Sequence, residues 1–323
     1  MGLRGGLDLG GTKVQAAILD AEGNVLGSAR HPTPTSGGPP DVAATLVAAL
    51  KEAAEAAGTE PAALEGVGVG SPGEIDPDAG TVGNAGNLPN WRAPFPLASV
   101  LQEAVGVPVR LGNDVSVATE AEFALGSGRP YRSLLGVFWG TGVGGGLILD
   151  GKMWVGRSSA GEIGHMCVKL GGARCPCGRE GCLEAYAGRG AMEGRARRRV
   201  ERGDKTVLFE IMEKRGRPRL TSGVWARALE RGDGLAIALI DDAVEALGAG
   251  IAAAQNLLDV EAVIIGGGLG LRLGEPYVER VRQAMLPHTF ADDRPPALHL
   301  AALGDLGGAI GAALLVSAPV MSA

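Results

Sequence analysis

The segment Leu7-Asp8-Leu9-Gly10-Gly11-Thr12-Lys13 is the most informative motif of the sequence about its fold. An apolar strand carrying Asp8 runs into two glycines, a threonine and a lysine, and residues 14–19 begin a second strand. Glycine lets backbone N–H groups approach phosphate oxygens, while threonine adds a hydroxyl donor and lysine a positive charge. The spacing matches neither the Walker A loop nor the dinucleotide fingerprint. The stretch therefore predicts a glycine turn that can hold phosphate, with an ordinary glycine hairpin as the alternative.

Two later segments have the same layout. A strand at 135–139 leads into a glycine-rich turn from Gly140 to Gly146, and a strand at 262–265 leads into Gly266-Gly267-Gly268-Leu269-Gly270. The order strand, glycine turn, strand and hairpin in residues 7–27 recurs from residue 134 onward, which indicates an internal duplication. Three such turns at strand ends, with Asp8 and Lys13 in the first, favour a nucleotide cleft.

Composition excludes several classes of protein. Glycine accounts for 54 of the 323 residues and proline for 19, yet no G-X-Y period is present, which excludes collagen-like and low-complexity chains. A hydrophobic fraction of 46% suits a globular protein of two domains. The net charge of −6 and the 4% aromatic content argue against nucleic acid or an anionic membrane as partner. The absence of a long apolar run and of a signal peptide predicts a cytoplasmic protein.

The remaining pattern predicts alternating strands and helices. We expect helices at about 41–57, from 114 to about 126, across 184–242 and at 237–258, an apolar C-terminal helix, strands at 64–69 and 107–111, and loops at 30–41 and 71–91. The basic run 195–202 lies in a helical pattern interrupted by Glu201, so we interpret it as a solvated helix face.

A metal site is predicted by His165 followed by Cys175-Pro176-Cys177-Gly178-Arg179-Glu180-Gly181-Cys182. Thiolate and imidazole suit tetrahedral Zn²⁺, and four protein ligands make a closed, structural site. The alternative is a set of unrelated residues with buried thiols. Cys167 is left over, and we expect it to be a small buried hydrophobic residue.

Several polar residues are candidates for binding a small molecule. Asp114 follows Asn113 before a helix and fits a helix N-cap equally well. Glu162 and Glu184, taken alone, fit surface carboxylates. Asn87, in the loop 83–91, fits a simple turn.

Taken together, these motifs resemble the ROK family (repressor, open reading frame, kinase) of the sugar kinase, Hsp70 and actin superfamily, over nearly the whole chain. The resemblance implies a two-lobed α/β fold of duplicated ribonuclease H-like domains with an active-site cleft between them. It implies an N-terminal domain of residues 1–115, completed by a C-terminal helix at about 304–323. The larger second domain would span 116–303 and carry the zinc loop 165–182.

The resemblance also implies roles for single residues. Asp114 would be the catalytic base, and Asp8 would help to hold Mg²⁺. The sugar would be bound by Asn87, Asn113, Asp114, Glu162, His165 and Glu184. ATP would be bound by Asp8, Gly10, Gly11, Thr12, Lys13, Gly140, Thr141, Gly142, Gly144, Gly145, Gly146, Gly266, Gly267 and Gly268. The structural Zn²⁺ ligands would be His165, Cys175, Cys177 and Cys182, and the second ring nitrogen of His165 would face the sugar.

The resemblance implies that the protein is an ATP-dependent hexose kinase, foremost a glucokinase acting on the 6-hydroxyl. N-acetylmannosamine, N-acetylglucosamine and fructose kinases are the alternatives within the family. A sugar-responsive repressor is disfavoured, because the first glycine turn lies almost at the start of the chain without a preceding helix-turn-helix. Departures from the family pattern at Val115-Ser116-Val117-Ala118 and Leu269-Gly270 weaken any assignment of the sugar. A homodimer or homotetramer is usual in the family.

Overall fold

The computed structural model describes residues 2–157 and 159–316, which form two compact units. The first unit contains the chain up to Gly126 and again from Leu303 onward, and the second runs from Ser127 to Ala302. The division falls after Gly126 rather than at the expected residue 115, because the helix Asp114–Leu125 packs on the last helix, Gly307–Leu314, of the first unit. Within the described residues, no helix is long and apolar enough to cross a bilayer.

Twelve strands and eleven α-helices make up the described part of the chain. The strands are β1 Arg4–Leu9, β2 Lys13–Leu19, β3 Val25–Pro32, β4 Gly66–Ser71, β5 Glu74–Asp76, β6 Thr81–Gly83, β7 Val109–Asn113, β8 Leu134–Trp139, β9 Val143–Leu149, β10 Lys152–Met153, β11 Ala262–Gly266 and β12 Ala297–Leu300. The helices are α1 Pro39–Ala56, α2 Leu97–Val105, α3 Asp114–Leu125, α4 Glu184–Ala187, α5 Arg189–Glu201, α6 Leu208–Lys214, α7 Ser222–Glu230, α8 Gly234–Leu258, α9 Gly267–Leu273, α10 Glu275–Met285 and α11 Gly307–Leu314.

The two main sheets have the same topology. The first has the order β3-β2-β1-β4-β7 and the second the order β10-β9-β8-β11-β12. In both sheets, the three strands that come first in the sequence pair antiparallel in succession. The fourth strand pairs parallel with the first, and the fifth pairs parallel with the fourth. This repetition confirms the predicted duplication and the mixed α/β fold.

Helices cover both faces of the first sheet. Successive side chains of β2 point to opposite faces of the sheet, and both sets are buried. Val14, Ala16 and Ile18 belong to the core shared with α1 and α2. Ala17 and Leu19, on the opposite face, pack with α3 and α11. The small side chains on this second face allow its helices to approach the sheet closely.

Glycines set the distance between α11 and the first sheet. A Cβ atom at Gly6 in β1 would lie 1.9 Å from the Ala309 carbonyl oxygen, and one at Gly68 in β4 would lie 1.7 Å from that of Ala312. On the other side of the helix, a Cβ at Gly311 would lie 1.9 Å from the Val117 carbonyl oxygen in α3. Close packing of backbones therefore accounts for part of the glycine excess.

The second unit is built around its long helix. The helix α8 spans 25 residues and begins at the N-cap Asp233, whose side chain accepts from Ala236 N–H. It shares a core with the second sheet, in which Trp139 and Trp225 are fully buried. This core supports the loops and helices that follow β9.

Several elements differ from the sequence expectation. The strand β3 continues to Pro32, and α1 begins at Pro39, so the loop between them is shorter than the expected 30–41. The loop after residue 71 contains the hairpin β5–β6, and α2, α10 and β12 were not predicted. The expected helix at 304–323 is described only to residue 316, and its remainder lies outside the described residues.

The substitution Gly68→Ala tests the close approach of α11. Its Cβ would overlap the Ala312 carbonyl oxygen, so we expect a loss of about 1–3 kcal/mol in the free energy of unfolding. The control is Gly234→Ala at the start of α8, where a Cβ meets no atom within 4 Å. Thermal unfolding should show a lower Tm for Gly68→Ala alone, and equal Tm values would contradict the packing argument.

Candidate active site

The first glycine turn joins β1 to β2. Gly10 N–H donates to the Lys13 carbonyl oxygen at 3.0 Å, and the Thr33 hydroxyl donates to the Gly10 carbonyl oxygen at 2.6 Å. These bonds fix the turn from both sides. Asn87 lies against it, since a Cβ at Gly11 would be 3.1 Å from the Asn87 amide nitrogen. The structure thus brings two predicted groups of residues together in the first unit.

The lysine of this turn is held by an acid that the sequence analysis missed. Lys13 Nζ lies 3.0 Å from a carboxylate oxygen of Asp305, and Arg30 approaches the other oxygen at 3.5 Å. Asp305 belongs to the short 3-10 helix before α11, and no motif in the sequence singles it out. The ion pair orients the positive charge beside the glycine turn.

Two carboxylates lie at the carboxyl edge of the parallel strands in the first sheet. Asp8 is near the end of β1, and Asp114 directly follows β7. The Asp8 carboxylate also lies against α11, since a Cβ at Gly308 would be 2.7 Å from its Cγ. Burial, followed by the charge of Asp114, raises the pKa of Asp8 to about 7. Ionising Asp8 beside the charge of Asp114 is therefore unfavourable, which favours a bound cation or a protonated Asp8 at this edge.

Asn113, rather than Asp114, is the N-cap of α3. Its side-chain oxygen accepts from the N–H groups of Val115 and Ser116, both at 3.1 Å. The N-cap alternative for Asp114 is therefore wrong, because Asp114 is the first residue of the helix itself. Since the cap uses Asn113 Oδ1, the amide Nδ2 is the group of Asn113 that could donate to a ligand.

The second glycine turn is shorter than the sequence suggested. Gly140 N–H donates to the Gly142 carbonyl oxygen at 3.0 Å, and β9 already begins at Val143. Gly144, Gly145 and Gly146 therefore lie in the strand and not in the turn. A Cβ at Gly145 would lie 2.5 Å from the Gly161 carbonyl oxygen. The absence of a side chain at Gly145 therefore allows the loop that contains Gly161 to pack against β9.

The third glycine segment lies beside the second. Gly266 is the last residue of β11, and the helix α9 begins at Gly267. Gly267 has a φ of +79°, and a Cβ there would meet the Trp139 carbonyl oxygen at 2.6 Å. A Cβ at Gly140 would be 3.8 Å from Gly268 N, so the two segments adjoin in the second unit.

The predicted metal ligands form one cluster. One ligand atom each from His165, Cys175, Cys177 and Cys182 lies within 4.8 Å of all the others. The Cys177 and Cys182 sulfurs are 3.8 Å apart, and Cys175 Sγ is 3.9 Å from His165 Nδ1. Ligands of tetrahedral zinc at about 2.3 Å from the metal would be separated by about 3.8 Å, so the cluster fits a structural zinc.

The thiols of the cluster differ in acidity when no metal is bound. Burial raises the pKa of Cys175 to about 12. Burial also acts to raise the pKa of Cys177, but donors from Arg179 and the neighbouring thiols outweigh it and lower the pKa to about 6. Cys167 is exposed, so the expectation of a buried hydrophobic residue is wrong there. It pairs through its backbone with Cys182 on a surface loop.

Glu184 connects the metal cluster to the second glycine turn. One carboxylate oxygen accepts from Val143 N–H at 2.9 Å, and the other lies 4.0 Å from Cys175 Sγ. Glu162 is exposed, and its carboxylate is 3.9 Å from His165 Nε2. His165 thus presents Nδ1 to the thiols and Nε2 toward Glu162.

An arginine not predicted from the sequence also contacts the second turn. Arg189, at the start of α5, donates to Thr141 Oγ1 and to Ser222 Oγ, both at 2.8 Å. A Cβ at Gly268 would be 3.7 Å from the same Ser222 oxygen. No pattern in the sequence distinguishes Arg189 from the other arginines of α5.

The repeated sheets with glycine turns define a protein of the actin and hexokinase type of fold. The chain belongs to the ROK family, whose sequence profile matches residues 4–318. It is 33% identical to a glucokinase of Streptomyces coelicolor over 99% of both chains. It is 34% identical to an N-acetylgalactosamine kinase of Shewanella, over 96% of this chain and 95% of that one.

A solved structure supports the same family. The ROK family glucokinase from Streptomyces griseus, in complex with glucose and AMPPNP, superposes with a TM-score of 0.83 at 32% identity. The match covers 97% of this chain and 99% of that one. These three relatives are sugar kinases, which supports a sugar kinase here.

Metal binding can be tested with two single thiol substitutions. We expect Cys177→Ser to lower the zinc content of the purified protein and its Tm, because it removes one of four ligands. Cys167→Ser is the matched control, since Cys167 lies in the same loop but outside the ligand set. Elemental analysis decides the point: zinc lost equally from both variants, or absent from the wild type, would refute the site.

The raised pKa of Asp8 makes a prediction about stability. The pKa of Asp8 is 3.8 in the unfolded chain and about 7 in the folded protein, so folding disfavours the ionised form. The free energy of unfolding therefore falls as the pH rises from about 4 to about 7. Asp8→Asn should therefore raise the Tm, with a gain that grows by about 1 kcal/mol from pH 6 to pH 8.5.

A control of opposite sign is available in the same unit. Hydrogen bonding by the Asn24 side chain lowers the pKa of Asp20, so Asp20→Asn should lower the Tm at neutral pH. Differential scanning calorimetry of both variants gives the measurement. A gain for Asp8→Asn that is constant with pH would show that Asp8 titrates normally.

Proposed function

We propose that the protein is an ATP-dependent hexose kinase that phosphorylates the 6-hydroxyl of D-glucose. The observation that carries the proposal is the pair Asp8 and Asp114 at the carboxyl edge of the first sheet. Ligands of open α/β sheets bind at this edge. A phosphoryl transfer site needs one carboxylate toward the metal ion and another toward the attacking hydroxyl.

Asp114 is the proposed general base. A sugar hydroxyl is a poor nucleophile, so a carboxylate that accepts its proton as the new bond forms lowers the barrier. Asp114 lies at the N-terminus of α3, whose positive end stabilises the carboxylate before the transfer. Asn113, fixed by its capping bonds, would donate from Nδ2 to a sugar oxygen, and Asn87 would contribute from beside the first turn.

The first glycine turn is proposed to hold phosphate oxygens of ATP. Its contributors are Gly10, Gly11, Thr12 and Lys13, and the Lys13 charge is already directed to the turn by Asp305. Asp8 would hold Mg²⁺, which when bound neutralises the charge that develops on the transferred phosphate. The raised pKa of Asp8 fits this role, because a cation removes the cost of ionising it.

The second unit would supply the other nucleotide and sugar contacts. Gly140, Thr141 and Gly142 in the second turn and Gly266, Gly267 and Gly268 in the third are the proposed nucleotide residues, while the strand position of Gly144 to Gly146 makes a structural role the better proposal for them. Glu162, His165 and Glu184 are the proposed sugar residues. The zinc, when bound, would hold the loop that carries all three.

Glucose is favoured over acetylated hexosamines by the glucokinase relatives, but the Shewanella kinase has nearly the same identity. N-acetylmannosamine, N-acetylglucosamine and fructose remain the alternative substrates. A homodimer or homotetramer also remains a proposal, for which the exposed apolar residues Trp154, Leu257 and Phe290 of the second unit are candidate contacts.

The proposal is tested by a coupled assay of ADP release with glucose, fructose, mannose and the N-acetylhexosamines. We expect the highest kcat/KM with glucose, and formation of glucose 6-phosphate. A higher kcat/KM with an acetylated hexosamine would keep the kinase and refute the glucokinase. Absence of ADP release with every sugar would refute both.

The same assay tests the base. Asp114→Asn should lower kcat by at least about 100-fold, because the amide cannot accept the proton, while glucose binding measured by calorimetry stays within a few-fold of wild type. Asp305→Asn serves as the control, since it removes a carboxylate that pairs with Lys13 and should act mainly on KM for ATP. An Asp114→Asn enzyme with near wild-type kcat would remove Asp114 from this role.

A further inference from the structure

Arg189 is a partly buried cation without an anionic partner. Among the described residues, its guanidinium donates to the neutral hydroxyls of Thr141 and Ser222, and no carboxylate lies within ion-pair distance of it. Burial, followed by the charge of Arg219, lowers the pKa of Arg189. A desolvated charge with neutral partners costs free energy, which a bound anion would recover.

Glu193 attracts Arg189 electrostatically, but its carboxylate is hydrogen-bonded to other groups. Glu193, one turn further along α5, accepts from Arg197 at 2.7 Å and from Leu220 N–H at 3.0 Å, and it pairs with Arg219 at 3.4 Å. Its carboxylate oxygens are thus used by two other arginines and one amide. The local charge around Arg189 is therefore positive.

The position of Arg189 selects the kind of anion. Its N–H and that of Gly190 donate to the carbonyl oxygens of Gly140 and Thr141, which fastens the start of α5 to the second glycine turn. Its side chain reaches Ser222, the hydroxyl that lies against Gly268 of the third segment. The guanidinium therefore spans the two glycine segments of the second unit.

We propose that Arg189 binds the phosphates of the nucleotide where the second and third glycine segments of the second unit adjoin. This proposal rests on the nucleotide role of these segments in the proposed function. The two hydroxyl contacts use two of the five N–H groups of the guanidinium, which leaves three for phosphate oxygens. Arg219, whose guanidinium lies 3.6 Å from a Cβ at Gly190, adds positive charge at the same place.

The test compares ADP with adenosine by calorimetry on full-length protein. Arg189→Ala should weaken ADP binding by about 10-fold or more, as loss of a charge-assisted contact predicts, and leave adenosine binding within about 2-fold. Arg227→Ala is the control, because Arg227 is an exposed arginine on α7 that pairs with Glu230. It should change neither affinity.

A second variant separates phosphate binding from bracing of the turn. Arg189→Lys keeps the positive charge but cannot reach both hydroxyls with a planar fork. If Arg189 contacts phosphate, this variant should recover part of the ADP affinity lost in Arg189→Ala. Equal loss in both variants, or equal weakening of ADP and adenosine, would identify Arg189 as a brace only and overturn the proposal.

Inorganic phosphate distinguishes a nucleotide site from a general anion site. We expect it to bind wild-type protein far more weakly than ADP, and Arg189-dependent binding of phosphate as tight as that of ADP would overturn the proposal. In steady-state assays, Arg189→Ala should raise KM for ATP and leave KM for the sugar unchanged. Normal ADP binding in Arg189→Ala would refute this inference alone, whereas wild-type protein that turns over no sugar would refute the kinase.

Discussion

The hydrogen bond accepted by the Glu184 carboxylate links two parts of the second unit that carry its polar residues. It accepts from Val143 N–H, at the point where the second glycine turn becomes β9, and its other oxygen faces Cys175 of the metal cluster. Gly142 leaves room for this carboxylate. A Cβ at residue 142 would lie 2.2 Å from Glu184 Oε2. One side chain therefore ties the metal-binding loop to the turn proposed for phosphate. Loss of a bound metal would therefore disturb the second glycine turn as well as the loop that holds the thiols.

The duplicated sheets have diverged in chemistry while keeping their topology. The first unit combines Asp8, Asp114 and the Lys13 ion pair at its carboxyl edge. The second unit places glycine segments, a cluster of candidate metal ligands and Arg189 around the corresponding hairpin. Each unit thus combines carboxylates with a basic side chain. These are Asp8, Asp114 and Lys13 in the first unit, and Glu162, Glu184 and Arg189 in the second.

The sequence predicted features that depend on local pattern. The glycine turns, the duplication and the metal ligands all follow from short spacings, and α3 and β11 were found where the apolar pattern put them. It missed what depends on contacts between distant segments. Asp305 meets Lys13 only after the chain returns to the first unit, and Arg189 is distinguished only by its neighbours Thr141 and Ser222. The extent of the second turn was also misjudged, because glycines in a strand and in a turn look alike in the sequence.

The return of the chain to its first unit has a consequence for folding. The second unit is inserted between α3 and α11, and α11 covers the face of the first sheet through Gly6 and Gly68. During synthesis, the part of this face that α11 covers stays exposed until about 180 further residues beyond α3 have left the ribosome. The contacts that close it are also far apart along the chain, which slows folding. The central unit, from Ser127 to Ala302, is one continuous stretch and can complete its core before α11 is made, whereas the N-terminal unit cannot.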